Sequence, residues 1–157
     1  MYNIVLYHPE IPHNAGAAGR LAVATGSRLH LICPLGFSLD EKHVRRTGLD
    51  YWPHVDLHLW QSLEELETAA DPAANFWYLS TKATRSIWAP DLPMRAGDYL
   101  VFGPESKGLP TSWLATHADT ALRIPMPGAH ARSLNLSTAV AIVLYEGLRR
   151  ALPPESL

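Results

Sequence analysis

Features that mark secreted and membrane proteins are missing from this sequence of 157 residues. It has one cysteine, Cys33, so no intrachain disulfide can form, and we expect a reducing compartment, the cytoplasm. The first residues hold no basic segment ahead of an apolar stretch, which argues against a secretory signal. The longest wholly apolar run, 139–145, is too short to cross a bilayer, so no membrane association is predicted.

A basic excess and metal-ligand motifs are missing as well. The formal net charge is −2, which counts against a domain that holds nucleic acid through its overall charge. Any affinity for RNA must then come from local clusters, from shape or from a second subunit. His54 and His58 stand four apart in a segment that alternates like a strand, and no His-Glu-x-x-His or Cys-x-x-Cys pattern occurs, so we predict no metal.

What is present is a composition typical of one globular domain, with 47% hydrophobic and 18% charged residues over positions 1–157. Hydrophobic patterning predicts strands that alternate with helices. The predicted strands are 3–7, 28–33, 54–59, 75–80, 98–103 and 120–124. The predicted helices are about 14–25, a short one opening at Ser38, 62–70, a short one with Pro110 in its first turn, and 136–150. This order indicates an α/β fold with a mainly parallel sheet flanked by helices.

Three segments that follow predicted strands are rich in glycine, proline and short polar residues, namely 12–20, 102–110 and 124–137. In open parallel sheets, ligands bind at the carboxyl ends of the strands, and glycine lets the backbone approach a ligand closely. Purely structural interpretations stay open. Gly16 and Gly19 could serve helix packing, Gly-Pro turns are common, and Ser133 or Asn135 could cap the last helix.

These segments resemble the SPOUT class of RNA methyltransferases, and within it the tRNA ribose 2′-O-methylases. The resemblance rests on Asn14-Ala-Gly-Ala-Ala-Gly-Arg20, Phe102-Gly-Pro-Glu-Ser-Lys-Gly-Leu-Pro110 and Ser133-Leu-Asn-Leu-Ser137, and it covers essentially the whole chain. It is strongest for the short enzymes that methylate the wobble nucleotide, a cytidine or modified uridine, of leucine tRNAs. The chain departs from the family at Ala17 and Thr138, where the family usually or often has asparagine.

The resemblance implies a deep C-terminal trefoil knot, the methyl donor S-adenosylmethionine (AdoMet) with S-adenosylhomocysteine as product, and tRNA as substrate. It also implies a homodimer whose active site is completed at the subunit interface. Carried over by position, the residues expected to contact AdoMet are Leu79, Gly103, Ile124, Met126, Ser133 and Leu134. The expected catalytic positions are Asn14, Arg20, Glu105 and Asn135.

For Arg20 and Glu105, we expect roles other than that of a catalytic base. A guanidinium stays protonated near neutral pH, so we expect Arg20 to grip an RNA phosphate and orient the ribose hydroxyl rather than to act as the base. We expect Glu105 to fix its loop and Asn14 through hydrogen bonds. Further RNA contacts are expected from cations that could equally be solvated surface charges, namely Lys42, Arg45 and Arg46 in one cluster and Lys82 and Arg85 in another.

Three alternative functions stay open at this point. The same chemistry could act on another tRNA position or on rRNA. A nicotinamide-dependent oxidoreductase is suggested by Asn14-x-Gly16-x-x-Gly19, although six residues with two prolines separate this motif from its strand, too many for a tight phosphate-binding turn. A non-catalytic RNA-binding module would have no need of the three loops.

Overall fold

The computed structural model describes residues 1–40, 50–153 and 155. Its strands are β1 Asn3–Tyr7, β2 Arg28–Ile32, β3 Leu57–Trp60, β4 Phe76–Leu79, β5 Arg85–Ser86, β6 Tyr99–Phe102 and β7 Ala121–Arg123. They form one sheet in the order β3-β2-β1-β6-β4-β7-β5, and every strand pair is parallel. The predicted α/β fold with a parallel sheet is therefore confirmed.

Within the described ranges, four α-helices cover the two faces of this sheet. They are α1 Pro12–Thr25, α2 Leu63–Ala69, α3 Thr111–Thr116 and α4 Leu136–Ala151, and 3-10 turns lie at Trp52–His54 and Ala118–Thr120. Alternate residues of β1 point to opposite faces, so Ile4 and Leu6 pack in the same core as α1 and α4, while Val5 packs in the core that includes Leu63 of α2. None of the helices in the described ranges is both long and apolar enough to cross a membrane.

Local signals in the sequence explain where two helices begin and end. Gly26 has a φ of 63° and ends α1, because glycine adopts this left-handed conformation without a steric penalty. At α2, the Ser62 hydroxyl accepts a hydrogen bond from the Glu65 amide, and the Glu65 carboxylate accepts one from the Gln61 amide. The predicted capping interaction at Ser62 is thus confirmed.

Several predicted boundaries were wrong. Helix α1 begins at Pro12 rather than Asn14, since proline suits the first helical position, where no amide hydrogen is needed. Pro110 precedes α3 instead of lying in its first turn. His54 lies in a 3-10 turn, so β3 begins at Leu57. The short strand β5 lies in the segment 83–96, for which no strand was predicted. Residues 38–40 are not helical, and the rest of the helix predicted to open at Ser38 lies outside the described residues.

The amino ends of the central strands are joined by a buried polar network. The Asp98 side chain is fully buried, and its carboxylate accepts hydrogen bonds from the amides of Asn75 and Arg95 and from the indole nitrogen of Trp77. These partners compensate the carboxylate for its lost hydration. The network fixes the residues that lead into β4 and β6.

Candidate active site

One cavity opens at the carboxyl ends of β4, β6 and β7, beside the start of α4. Its volume is about 530 Å³, within the usual size of small-molecule sites. Its lining includes all six residues predicted to contact AdoMet, namely Leu79, Gly103, Ile124, Met126, Ser133 and Leu134. We call it the carboxyl-edge cavity. The structure thus brings together residues from three separate loops, while their contact with AdoMet stays a prediction.

A chain of polar side chains crosses one wall of this cavity. The Nδ2 atom of Asn14 donates a hydrogen bond to Glu105 over 3.0 Å, and the Oδ1 atom of Asn14 accepts one from Asn135 over 3.2 Å. Asn135 also caps α4, because its Oδ1 accepts the amides of Ser137 and Thr138. Three of the four predicted catalytic residues therefore form one hydrogen-bonded unit, in which Asn14 is buried.

The Glu105 carboxylate is held by groups of the segment that leads into α1. It accepts hydrogen bonds from the backbone amides of Glu10 and Ile11, over 2.8 and 3.0 Å, as well as from Asn14. Burial alone raises the pKa of Glu105, but these hydrogen bonds outweigh it and leave the pKa below its ordinary value. The carboxylate is thus ionised, and the predicted hydrogen bond from Asn14 is confirmed.

A further hydrogen bond joins the same two segments, with the donor now on the loop that carries Glu105. The Ser106 hydroxyl donates to the Glu10 carboxylate over 2.6 Å. Ile11, the residue that caps α1, has no side-chain cap of its own, so Glu105 supplies a negative charge at this helix terminus from a distant loop. No local pattern predicts this role of Glu10, because its partner lies 96 residues away along the chain.

The structure gives a reason for glycine at position 103 other than the approach of a ligand. A Cβ atom built there would lie 2.3 Å from the backbone of Gly108 and Leu109, so the loop folds back on Gly103 and leaves no room for a side chain. Gly108 itself has a φ of +67°. The two glycines therefore close the loop that carries Glu105.

Arg20, the fourth predicted catalytic residue, lies in a different cavity of about 520 Å³. We call this the Arg20 cavity. It also borders α1 and α4, but it shares no lining residue with the carboxyl-edge cavity. Ala17 and Thr138, the two positions where the sequence departs from the family pattern, both line it. Within one chain, Arg20 is thus separated from the residues expected to hold AdoMet.

Tyr51 holds Arg20 in place, a role that the sequence analysis did not assign. The guanidinium carbon of Arg20 lies 4.6 Å from the centre of the Tyr51 ring. The Tyr51 hydroxyl donates a hydrogen bond to the Gly16 carbonyl over 2.8 Å, which fixes the ring against α1. A Cβ atom at Gly19 would lie 2.7 Å from the Trp52 ring, so Gly19 serves helix packing.

The residues predicted to bind RNA are dispersed. Lys82 is exposed at the carboxyl-edge cavity. Arg85 forms an ion pair with Asp91 over 3.1 Å, so its charge already has a partner within the chain, and its contact with RNA stays a prediction. The cluster Lys42, Arg45 and Arg46 lies outside the described residues. Within the ranges that the structure describes, no group of His, Cys, Asp and Glu could hold a metal ion.

Comparison with known proteins defines the class to which this fold and site belong. The model of the SpoU rRNA methylase family matches residues 1–145, and the chain therefore belongs to that family. The predicted resemblance to an RNA methyltransferase family is confirmed. Membership argues against both the oxidoreductase and the non-catalytic module. The C-terminal knot stays a prediction.

Individual methyltransferases are similar to this chain over most of its length. A tRNA (cytidine(34)-2'-O)-methyltransferase of Saccharophagus degradans is 46% identical over 154 residues, which cover 96% of each chain. A solved structure concerned with the 2-OH methylation of C/U34 on tRNA is 48% identical, with a TM-score of 0.87 over 96% of this chain and 95% of the other. The AdoMet complex of the SpoU methyltransferase AviRb from Streptomyces viridochromogenes, at 24% identity, shares the fold, with a TM-score of 0.77 over 94% of this chain and 59% of that one.

Proposed function

We propose that this protein transfers a methyl group from AdoMet to the ribose 2′-hydroxyl of the wobble nucleotide of tRNA, a cytidine or modified uridine, with leucine tRNAs as the expected recipients. The observation that carries the proposal is the convergence of all six predicted AdoMet residues on one cavity, next to Asn14, Glu105 and Asn135. The near full-length similarity to a tRNA (cytidine(34)-2'-O)-methyltransferase supports the substrate. We place the reaction in the cytoplasm, where tRNA is used.

The carboxyl-edge cavity fits AdoMet in chemistry as well as in volume. Its apolar side chains include Leu79, Ile124 and Met126, which suit an adenosyl group, and its loops offer backbone groups for hydrogen bonds. When bound, AdoMet supplies a methyl group on a positively charged sulfur. An apolar, water-poor wall does not oppose the transfer of that group, because the positive charge disperses as the methyl group leaves.

The residues around the cavity position the reactants rather than remove a proton. Glu105 already accepts three hydrogen bonds from its own chain, so it holds the loop and Asn14 in place. Asn14 in turn connects that loop to the start of α4 through Asn135. A fixed geometry of this kind raises the rate by holding the hydroxyl in line with the methyl carbon. We expect Glu105→Gln to leave the pH–rate profile unchanged, and a shifted profile would contradict this role.

The separation of Arg20 from the carboxyl-edge cavity supports a homodimer with a shared site. In a symmetric dimer, the Arg20 cavity of one subunit can face the carboxyl-edge cavity of its partner. Exposed apolar side chains on the same two helices, Val23 of α1 and Tyr145 of α4, give such an interface hydrophobic surface. We propose that Arg20 acts on the hydroxyl next to the AdoMet of the other subunit.

The reaction is tested with isotope-labelled AdoMet and unmodified bulk tRNA, followed by nuclease digestion and nucleoside mass spectrometry. Label in a 2′-O-methylated nucleoside at position 34 supports the proposal. Label at another tRNA position, or in rRNA alone, keeps the chemistry and overturns the substrate. Failure to bind AdoMet overturns the whole proposal.

The shared site is tested by mixing two inactive variants. Arg20→Ala removes the guanidinium, and Ile124→Trp fills the carboxyl-edge cavity, which loss of AdoMet binding verifies. A mixed dimer then has one intact site if Arg20 acts across the interface. Random pairing of equal amounts should restore about one quarter of the wild-type turnover. No restoration in co-expressed mixed dimers would show that each subunit works alone.

A further inference from the structure

The positive side chains that the structure describes fall into two groups, those that form ion pairs and those that do not. In the described ranges, five Lys or Arg residues form ion pairs: Arg28, Arg85, Arg95, Arg149 and Arg150. The other five have no acidic partner within 4.0 Å among the described residues: Arg20, Lys82, Lys107, Arg123 and Arg132. Since the protein has a net charge of −2, this separation leaves locally positive surfaces on a slightly acidic molecule.

Three of the unpaired cations surround one opening. Lys82, Lys107 and Arg132 come from the loops after β4, β6 and β7, and all three line the carboxyl-edge cavity with exposed side chains. Closeness in sequence does not explain this grouping, because each of the three residues lies 25 positions from the next along the chain. The parallel sheet brings them together, since it gathers the carboxyl ends of its strands at one edge.

Among the described residues, the lining of this cavity contains one acid, Glu105, whose carboxylate already accepts hydrogen bonds from Glu10, Ile11 and Asn14. The one carboxylate in this lining is therefore bonded to other groups and does not pair with any of the three cations. Grouped cations repel one another, and an anion between them relieves that repulsion. The opening is thus suited to anionic oxygens, which either an RNA phosphate or the AdoMet carboxylate could supply.

We infer that Lys82, Lys107 and Arg132 form a phosphate-binding rim, which holds the backbone of the RNA on either side of the nucleotide being methylated. This inference rests on the proposed function, because the acceptor hydroxyl must reach the cavity that the rim encloses. The three side chains are exposed, whereas the AdoMet residue Leu79 is 8% exposed, so the cations lie where a large polyanion can reach them. Arginine and lysine both bind phosphate oxygens.

The test compares two pairs of charge removals. Lys107→Gln with Arg132→Gln removes two rim charges, and Arg28→Gln with Arg149→Gln removes two exposed charges that form ion pairs away from both cavities. The affinity for unmodified tRNA is measured at salt concentrations between about 50 and 200 mM, and AdoMet affinity is measured by calorimetry. Circular dichroism checks that all variants are folded.

The rim variant should bind tRNA about tenfold more weakly, and its slope of log affinity against log salt should flatten by about 1.4, or about 0.7 per phosphate contact in a single-stranded loop. The control should match the wild type, and adding Lys82→Gln should flatten the slope further. If AdoMet affinity falls while the tRNA slope stays constant, the rim binds AdoMet and the inference is overturned. An unchanged slope in a wild-type enzyme that methylates tRNA overturns the inference alone, whereas a wild type that neither binds nor methylates tRNA overturns the proposed function.

Discussion

The two edges of the sheet differ in whether their charged side chains have partners within the chain. At the amino edge, the buried Asp98 carboxylate is surrounded by donors of the same chain, and the nearby Arg95 forms an ion pair with it. At the carboxyl edge, Lys82, Lys107 and Arg132 are exposed and have no acidic partner among the described residues. Polar groups that are satisfied within the chain stabilise the fold, while those left free are available to a ligand. Substitutions at one edge should therefore change stability, and those at the other should change turnover.

Arg20→Ala should give the largest effect and the sharpest separation of activity from stability. We expect turnover to fall by about 10²-fold or more, because the hydroxyl loses the group that orients it. The midpoint of thermal unfolding should change little, since Arg20 is exposed, forms no ion pair with a described residue and contributes only a weak contact with the Tyr51 ring. Single-turnover methylation of tRNA measures the first quantity.

A matched control and a conservative variant complete this experiment. Arg28→Ala removes an exposed arginine that pairs with Asp56, and it should leave turnover unchanged. Arg20→Lys keeps the charge but loses the planar fork, so it should remain impaired. Near-full turnover of Arg20→Lys with unchanged RNA affinity would contradict the idea that Arg20 grips a phosphate.

Asp98→Ala should show the reverse behaviour at the amino edge. The substitution leaves the indole nitrogen of Trp77 and the amides of Asn75 and Arg95 without an acceptor. Each such loss costs about 1–3 kcal/mol, so the free energy of unfolding should fall by about 3 kcal/mol or more. Urea unfolding measures this loss, and turnover per folded molecule should stay near the wild-type value. A large loss of turnover in a fully folded variant would contradict the claim that Asp98 acts on stability alone.

How far the sequence predicted the structure differs between local and distant interactions. The strand order along the chain, the cap at Ser62 and the end of α1 at Gly26 follow from periodicity and from residues close in sequence. The strand pattern placed the three loops at the carboxyl ends of the sheet, but the six individual cavity residues came from resemblance to a family, because no local pattern indicates which side chains face a shared cavity. The Glu10–Ser106 bond and the Tyr51–Arg20 contact join distant segments and were missed. Their geometry depends on the sheet order, which hydrophobic patterning does not encode.

The stability of the protein should depend on pH through His30 of β2. Its ring is buried between the Asn3 side chain and the Trp60 indole, which donates to Nδ1. Burial, together with repulsion from His58 and Arg28, lowers the pKa of His30 to about 3. The unfolded chain therefore binds a proton that the folded chain rejects between the two pKa values. Stability from this group is complete above about pH 6.5 and is lost as the pH falls towards 3, by up to about 1.4 kcal/mol per pH unit.

Urea unfolding at a series of pH values between 7 and 4 tests this dependence on His30. His30→Gln should lower stability at pH 7 but flatten its decline on acidification, whereas His130→Gln, at an exposed position, should keep the wild-type slope. An unchanged slope for His30→Gln would assign the acid sensitivity to other groups. AdoMet binding should not follow the same curve, because His30 does not line the carboxyl-edge cavity.

Tyr51→Leu should give the smallest effect, yet it tests whether the Arg20 cavity is organised for catalysis. The ring contributes a contact between a cation and an aromatic face, worth about 0.5–1 kcal/mol at an exposed site, so turnover should fall only about two- to fivefold. Tyr51→Phe keeps the ring but loses the hydrogen bond to Gly16, and it should lie between the wild type and Tyr51→Leu.

A double-mutant cycle distinguishes positioning from simple packing at Tyr51. If Tyr51 acts only through Arg20, Tyr51→Leu should have no further effect on turnover in an Arg20→Ala background. AdoMet affinity should be the same in all four proteins, because Tyr51 and Arg20 lie outside the carboxyl-edge cavity. Equal and additive losses in both backgrounds would instead mean that Tyr51 supports the fold of α1, and the Arg20 cavity would then resemble the amino edge, where polar contacts serve stability alone.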